Sequence, residues 1–345
     1  MGWIKTLSIN TLLILGSLLI GLLFLELILF FTPYRNQILP QLEPWNYSVF
    51  NAERGYDIMP NYATSTFRFA DGKLDVSSNS FGCFDAEFDG KEPYIYATGD
   101  SFTWGFAPLQ DKWGKIVERE VGVRVLNCGV NGYGTRQELL KTEEVLEHLS
   151  TSSLIIVGYL AANDIEDDAR FPNYTIGWGG QRVPNTSSTP EPASFSFIKK
   201  AKTVLSTQSV VYVLLRDKIY LPIRQSFVKK EPSPESVVTE LPTVHQESIQ
   251  AWKAFADEKG VQLLFVIIPS KEEVLGVHEN AAKNTYTLLA ELGIPYIDLL
   301  SEFQTYDASK IYWNHDGHWN IEGNHLAGEL ISSYIKEHAL INHEE

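Results

Sequence analysis

The sequence predicts an α/β protein, a parallel sheet covered by helices on both faces and preceded by one membrane-spanning helix. Three observations carry that expectation. Short apolar, β-branched runs alternate with amphipathic segments of helical period; unusual Gly-, Asn- and Asp-rich loops follow the runs; and one long uncut apolar stretch lies near the start.

That stretch, Ile9 to Phe31 (INTLLILGSLLIGLLFLELILFF), has about the 20 residues that a helix needs to cross a bilayer. It is too long for a signal-peptide core, and no small-residue cleavage site follows. Its one charge, Glu26, lies toward the Thr32-Pro33 end, within reach of the interface. Lys5 precedes the span and only Arg35 follows closely, which favours a cytoplasmic amino terminus with the remainder outside. Residues 1–34 therefore read as a signal anchor. Residues 35–92, rich in turns and carrying Pro40, Pro44 and Pro60, read as a juxtamembrane connector packing on the domain, with a small hairpin around Thr64 to Val76.

Residues 93–340 read as the domain itself. Its strands are expected at Tyr94 to Ala97, Val123 to Leu126, Ser153 to Tyr159, Val261 to Ile268 and Ile294 to Ile297. Helical patterns fall at Trp113 to Val121, Gln137 to His148, Gln246 to Lys259 and Glu279 to Leu292, with a last helix opening near Asn320. Residues 169–243 break the rhythm and read as an insertion between the third and fourth strands: a lid, a membrane-facing surface or a partner-binding hairpin.

Charge narrows the partners. With 28 Lys plus Arg against 43 Asp plus Glu, the formal net charge of −15 argues against nucleic acid and against a basic grip on anionic lipid. The two cysteines, Cys83 and Cys128, lie beyond the anchor; an oxidising compartment permits a bridge, but two cysteines alone fix nothing and isolated small apolar fillers are the favoured reading. Asn46-Tyr-Ser and Asn173-Tyr-Thr match the glycan acceptor pattern.

The chemistry gathers in four loops, each expected at the carboxyl edge of the sheet, where open α/β sheets bind their ligands. They are Gly99-Asp100-Ser101, then Asn127 to Thr135 (NCGVNGYGT), then Ala161-Ala162-Asn163-Asp164, and last Asn314 to Asn320 (NHDGHWN). Read together, Ser101 is a nucleophile, His318 the general base, and Asp316 the group that sets the imidazole tautomer. The backbone N–H of Ser101, the N–H of Gly132 and the amide of Asn163 are the natural donors to a developing oxyanion. Asp316 could instead cap the last helix, and Ser101 its own. The glycines 129, 132 and 134 have the wrong spacing for a dinucleotide loop. His315, Asp316, His318 and His325 read as a loop and a surface or packing histidine rather than a metal cluster, so no cofactor and no metal is expected. The acidic run Asp164, Glu166, Asp167 and Asp168 reads as a solvated loop, and Trp104 and Trp319 read as core rather than sugar platforms.

In order, these four blocks resemble those of the SGNH/GDSL hydrolases, over roughly residues 93 to 335 apart from the insertion. The resemblance implies a three-layer flavodoxin-like fold whose five parallel strands run in the order 2-1-3-4-5, and a serine acyl-ester mechanism. It assigns Ser101 as nucleophile, Gly132 and Asn163 as oxyanion donors and His318 as base. Ala161 stands in a slot that is usually glycine. The usual D-x-x-H ending is D-x-H-W here, which resembles a membrane-anchored, polysaccharide-associated branch and makes Asp316 the acid. The expectation is an anchored, extracytoplasmic esterase acting on acyl, above all O-acetyl, esters of a glycan or small molecule. The rivals are an O-acyltransferase modifying a surface polysaccharide and a non-catalytic glycan-binding or assembly protein.

Overall fold

The five apolar runs form one parallel sheet because each is apolar on both sides and is covered twice. The computed structural model describes residues 2–39, 43–44, 46–177, 182–185, 204–206, 208–220, 223 and 240–341. The chain divides into two compact units: Met1–Leu42 with Arg68–Gly72 and Ser187–Ser236, and Glu43–Phe67 with Lys73–Thr186 and Val237–Glu345.

In the second unit the strands are β1 (Tyr94–Gly99), β2 (Arg124–Asn127), β3 (Leu154–Tyr159), β4 (Gln262–Ile267) and β5 (Tyr296–Asp298). They lie in the order β2-β1-β3-β4-β5, all parallel. This is the expected doubly wound order. Side chains alternate across the sheet as the period of two demands. Tyr94, Tyr96, Ile155, Val157, Leu263 and Phe265 face one core, while Ile95, Ala97, Leu154, Ile156, Leu264 and Val266 face the other. Helices α3 (Thr135–Leu146), α6 (Thr243–Lys259) and α7 (Lys283–Glu291) cover the first face. Helices α2 (Trp113–Val121) and α8 (Ile321–Glu337) cover the second.

Most strand ends fall within one residue of the sequence expectation, and two differ by two residues for a physical reason. β1 continues two residues past Ala97 because Thr98 and Gly99 still pair with Val157 and Gly158 of β3. β5 begins at Tyr296 rather than Ile294, since Pro295 has no N–H for a ladder and Ile294 bonds back to Leu289. The expected hairpin is present as Ser65–Phe69 paired with Gly72–Val76.

Helix α1 (Gly2–Phe30) carries the apolar stretch, and its Asn10–Phe30 portion has a mean hydropathy of 2.7 with none of it buried in the protein. Of the insertion, the described part includes an antiparallel pair, Tyr174–Ile176 with Arg182–Pro184, and helix α5 (Val210–Leu215). Residues 178–181, 186–203, 207, 221–222 and 224–239 of the insertion lie outside the described residues.

Glu43–Phe67 and Lys73–Asp89, parts of the second unit, are bound to its sheet layer by more than apolar contact. Arg54, fully buried, reaches Asp57 and Glu144 at 2.6 Å each, and Lys141 reaches Asp57 at 2.5 Å. The buried Arg54 and Lys141 thereby share the Asp57 carboxylate, and a partner of opposite charge is the condition for burying charge. Cys83 and Cys128 are joined in a disulfide, 45 residues apart in sequence, so the favoured reading of isolated fillers gives way to a bridge. It ties Lys73–Asp89 to the loop that follows β2. On the chain-entropy account a closed loop of 45 residues stabilises the fold by about 4 kcal/mol. Cys83→Ala/Cys128→Ala is expected to lose most of that, read as a lower urea midpoint with a steeper denaturant slope, because the unbridged unfolded chain exposes more surface.

Candidate active site

Gly99 ends β1 at φ +148°, and a Cβ there would sit 2.7 Å from the Gly158 carbonyl and 2.2 Å from the Thr103 hydroxyl. Only glycine allows the strand to turn this tightly into Asp100-Ser101. Asp100 is the N-cap of the short Ser101–Trp104 helix, accepting from the Phe102 N–H at 2.8 Å. The cap is therefore Asp100, not Ser101, whose side chain is left for other partners.

Its partner is His318. The Ser101 Oγ lies 2.7 Å from His318 Nε2, and the serine is 6% exposed. On the far side of the ring, His318 Nδ1 is in short contact with Asp316 Oδ1, which also accepts the His318 backbone N–H at 3.1 Å. A carboxylate only accepts, so it places the imidazole proton on Nδ1 and leaves the Nε2 lone pair facing the serine. Asp316 does not cap α8. Asn320 does, accepting from Gly323 N–H at 3.0 Å.

The His318 ring lies flat on Phe106, with centroids 3.9 Å apart and planes 11° from parallel. Phe102 meets it from another direction at 5.0 Å. The loop that carries the histidine is pinned at several points. Trp313 Nε1 donates to the Phe106 carbonyl at 3.1 Å, the Trp313 N–H donates to the His318 carbonyl at 3.0 Å, and Lys271 donates to the Trp313 carbonyl at 2.6 Å. Phe106 and Lys271 carried no sequence signal, since an aromatic and a lysine in loops have no spacing to mark them.

The other two loops meet the same edge. Val130 N–H donates to the Gly99 carbonyl at 2.9 Å, holding the second loop against the first. Gly132 has φ +83°, and a Cβ there would meet the Arg182 guanidinium at 2.9 Å and the Tyr56 hydroxyl at 3.2 Å. Asn173 Nδ2 donates to the Gly132 carbonyl at 2.8 Å, fixing the peptide's orientation. Asn173 is 6% exposed, so this glycan-acceptor match is a buried structural residue. Arg182, from the insertion, pairs with Glu43 at 2.7 Å and donates to the Asn131 carbonyl in a short contact.

Asn163 lies in the first turn of helix α4 (Ala161–Ala169), where the sequence reading had a loop. Its Nδ2 donates to Asp100 Oδ2 at 3.1 Å, and the same Oδ2 is 3.4 Å from Ser101 Oγ. One carboxylate thus ties the amide to the serine. An amide nitrogen carries two N–H groups, and this bond uses one. Burial pushes the Asp100 carboxyl up, opposed by the Phe102 N–H and the Asn163 amide.

The acidic run is not a solvated loop. Asp164 is fully buried and accepts the Leu160 N–H at 2.8 Å, and Asp168 is 2% exposed. Asp168 accepts from Arg136 N–H at 2.9 Å and pairs with His245 at 2.8 Å, whose Nε2 meets the Tyr159 hydroxyl at 2.9 Å. These bonds fasten α4 to α3, α6 and β3, and so hold Asn163 in place. The expected helical period was hidden because its buried face is polar. Trp104 and Trp319 are each 1% exposed, packed against Phe67 and Phe84 and against Phe102 and Phe303 respectively, as core. His325 is on α8 facing Asp111 at 3.5 Å. Among the described residues, no group of three His, Cys, Asp or Glu side chains is placed to hold a metal ion.

Against known proteins, no family model matches the chain and no curated protein matches it in sequence. Solved structures resemble it. A member of the lipolytic protein G-D-S-L family from Veillonella parvula is 14% identical, covering 70% of this chain and 98% of its own, with a TM-score of 0.41. An acetyl xylan esterase gives 12%, 70%, 99% and 0.41. The psychrotrophic esterase EstA from a Pseudoalteromonas species gives 10%, 72%, 99% and 0.41. Likenesses of that size decide neither activity nor substrate, which rest on the chain's own geometry.

Asp167 supplies a pH test of this edge. Burial, opposed by its bond to Asn173, raises its carboxyl from 3.8 to about 6. A carboxyl raised in the fold binds more protons there than in the unfolded chain, so its contribution to stability falls as pH rises between those two values. Asp167→Asn is expected to gain on the parent across that window, by on the order of 1–3 kcal/mol, read from paired urea midpoints.

Proposed function

We propose that this chain is a membrane-anchored serine esterase of the SGNH/GDSL type, with Ser101, His318 and Asp316 as its catalytic residues. The observation that carries the reading is the 2.7 Å contact of Ser101 Oγ with His318 Nε2, behind which Asp316 holds the opposite ring nitrogen.

In this reading Ser101 Oγ attacks the acyl carbon as its proton passes to His318 Nε2. Asp316 steadies the imidazolium, and the flat Phe106 ring keeps the imidazole in the plane the transfer needs. The carbonyl oxygen becomes an oxyanion, met by the backbone N–H groups of Ser101 and Gly132 and by the second amide hydrogen of Asn163. The C–O bond to the leaving alcohol then breaks, and His318 returns its proton to that alcohol. Water attacks the acyl-serine with His318 again as base, releasing the acid and restoring the hydroxyl. No step calls for a cofactor.

The substrate we propose is an acyl ester, chiefly an O-acetyl ester, of a glycan or small molecule. A sugar hydroxyl in place of water converts the same steps into O-acyl transfer. The Asn10–Phe30 helix supports attachment to a membrane. The Cys83–Cys128 bridge supports a catalytic domain on the oxidising, extracytoplasmic side, in agreement with the charges flanking the span.

Incubation of the full chain with p-nitrophenyl acetate and a fluorophosphonate probe tests this. The parent is expected to turn over the ester and label at Ser101. Ser101→Ala and His318→Gln are expected to lose on the order of 10³-fold or more in kcat with unaltered folding, and Asp316→Asn comparably. A folded parent with neither labelling nor turnover would sink the proposal. Phe106→Ala is expected to lower kcat on the order of tenfold at nearly constant KM, the signature of a positioning residue.

A further inference from the structure

Glu26 is the one acid within the apolar stretch, four residues and about 6 Å short of the Phe30 end of its helix. A polar group at such a depth is costly unless it is paired. It accepts three hydrogen bonds, from the Ser209 hydroxyl at 2.8 Å and from the N–H groups of Val210 and Val211 at 2.9 Å each. Those two N–H groups open helix α5, where no intrahelical carbonyl is available to them.

The N–H groups of residues 209–213 at this break are all matched to acceptors. Ser209 N–H goes to the Leu205 carbonyl, Tyr212 N–H to the Ser209 hydroxyl and Val213 N–H to the Ser209 carbonyl, each at 3.0–3.1 Å. From 209 to 213 every backbone N–H therefore has a protein acceptor. A break in water needs no such provision, because water supplies the missing partner; in hydrocarbon it is obligatory. The surrounding side chains agree. Val210 and Val213 are buried with Leu39 and pack on Leu29 and Ile38, while Leu205, Leu215, Ile219 and Tyr220 are exposed. Arg216 and Asp217, the first charges after the apolar turn, pair with each other at 2.6 Å.

We infer that residues 204–206 and 208–220 enter the same membrane as α1, as a short re-entrant element held by Glu26. The partner of its exposed apolar side chains is lipid. The inference rests on α1 being the membrane anchor. It also gives Glu26 a role: the acid satisfies the break, and the break satisfies the acid. Of the three roles open to the insertion, this selects the membrane-facing one for this segment.

Both native cysteines are in the disulfide, so single cysteines can be labelled with an environment-sensitive NBD dye in the full chain reconstituted into phosphatidylcholine vesicles. The positions are Leu215→Cys and Ile219→Cys, with Phe24→Cys as the control within α1 and Glu302→Cys as the aqueous reference. Labels at 215 and 219 are expected to be blue-shifted, quenched by doxyl groups on the lipid chains, and protected from aqueous iodide as the label at 24 is. Iodide quenching at 215 and 219 equal to that at 302, with 24 still protected, overturns this inference and leaves the anchor intact. Iodide access at 24 overturns the anchor itself and the inference with it. Added to the 219-labelled chain, Glu26→Ala is expected to restore iodide quenching at 219 without changing the label at 24. Protection retained in that variant overturns the hold assigned to Glu26.

Discussion

A hydroxyl and an imidazole 217 residues apart in the chain stand 2.7 Å from each other, and the rest of the second unit is arranged so that they can. The serine end is set by Gly99 and the Asp100 cap, which turn β1 into a single helical turn. The histidine end is set by Asp316, by the flat Phe106 ring and by the bonds of Trp313 and Lys271. Neither end can be supplied locally. Both depend on a parallel sheet whose carboxyl edge gathers loops that the chain visits at long intervals.

Asp100 has a part in this that goes beyond capping. Its buried carboxylate accepts from the Asn163 amide and lies close to the Ser101 hydroxyl, so it joins the first and third loops. The helix carrying Asn163 is fastened in turn through Asp168 to His245, Tyr159 and α3. A buried polar network of this kind is costly when incomplete and rigid when satisfied. It is a natural support for an amide that must keep one orientation.

Glu43–Phe67 and Lys73–Asp89 are likewise built into the unit that carries Ser101 and His318. Arg54 and the disulfide bind them to α3 and to the loop after β2. Glu43 and Tyr56 reach Arg182 beside Gly132. The Gly132 loop is thus held from a part of the chain in which no catalytic motif could be read.

Much of the fold was legible because its signals are local. Apolar runs gave five strands, helical period gave most of the covering helices, and the 23-residue span from Ile9 to Phe31 was evident by length and composition. Ser101, Asp316 and His318 were legible as residue types in ordered blocks. What escaped was set by packing. Helix α4 was hidden because its inward face is acidic, and an acidic face reads as solvated until Asp164 and Asp168 are seen buried. Phe106, Asn173 and Arg182 act through contacts made at long sequence separation, and so does the Cys83–Cys128 bridge. The sequence by itself determined which elements form and which residues could do chemistry, since periodicity and residue type are properties of the chain. Only the tertiary structure decided which of those residues meet, because a 2.7 Å contact depends on the register of strands, the tilt of helices and the turns between them.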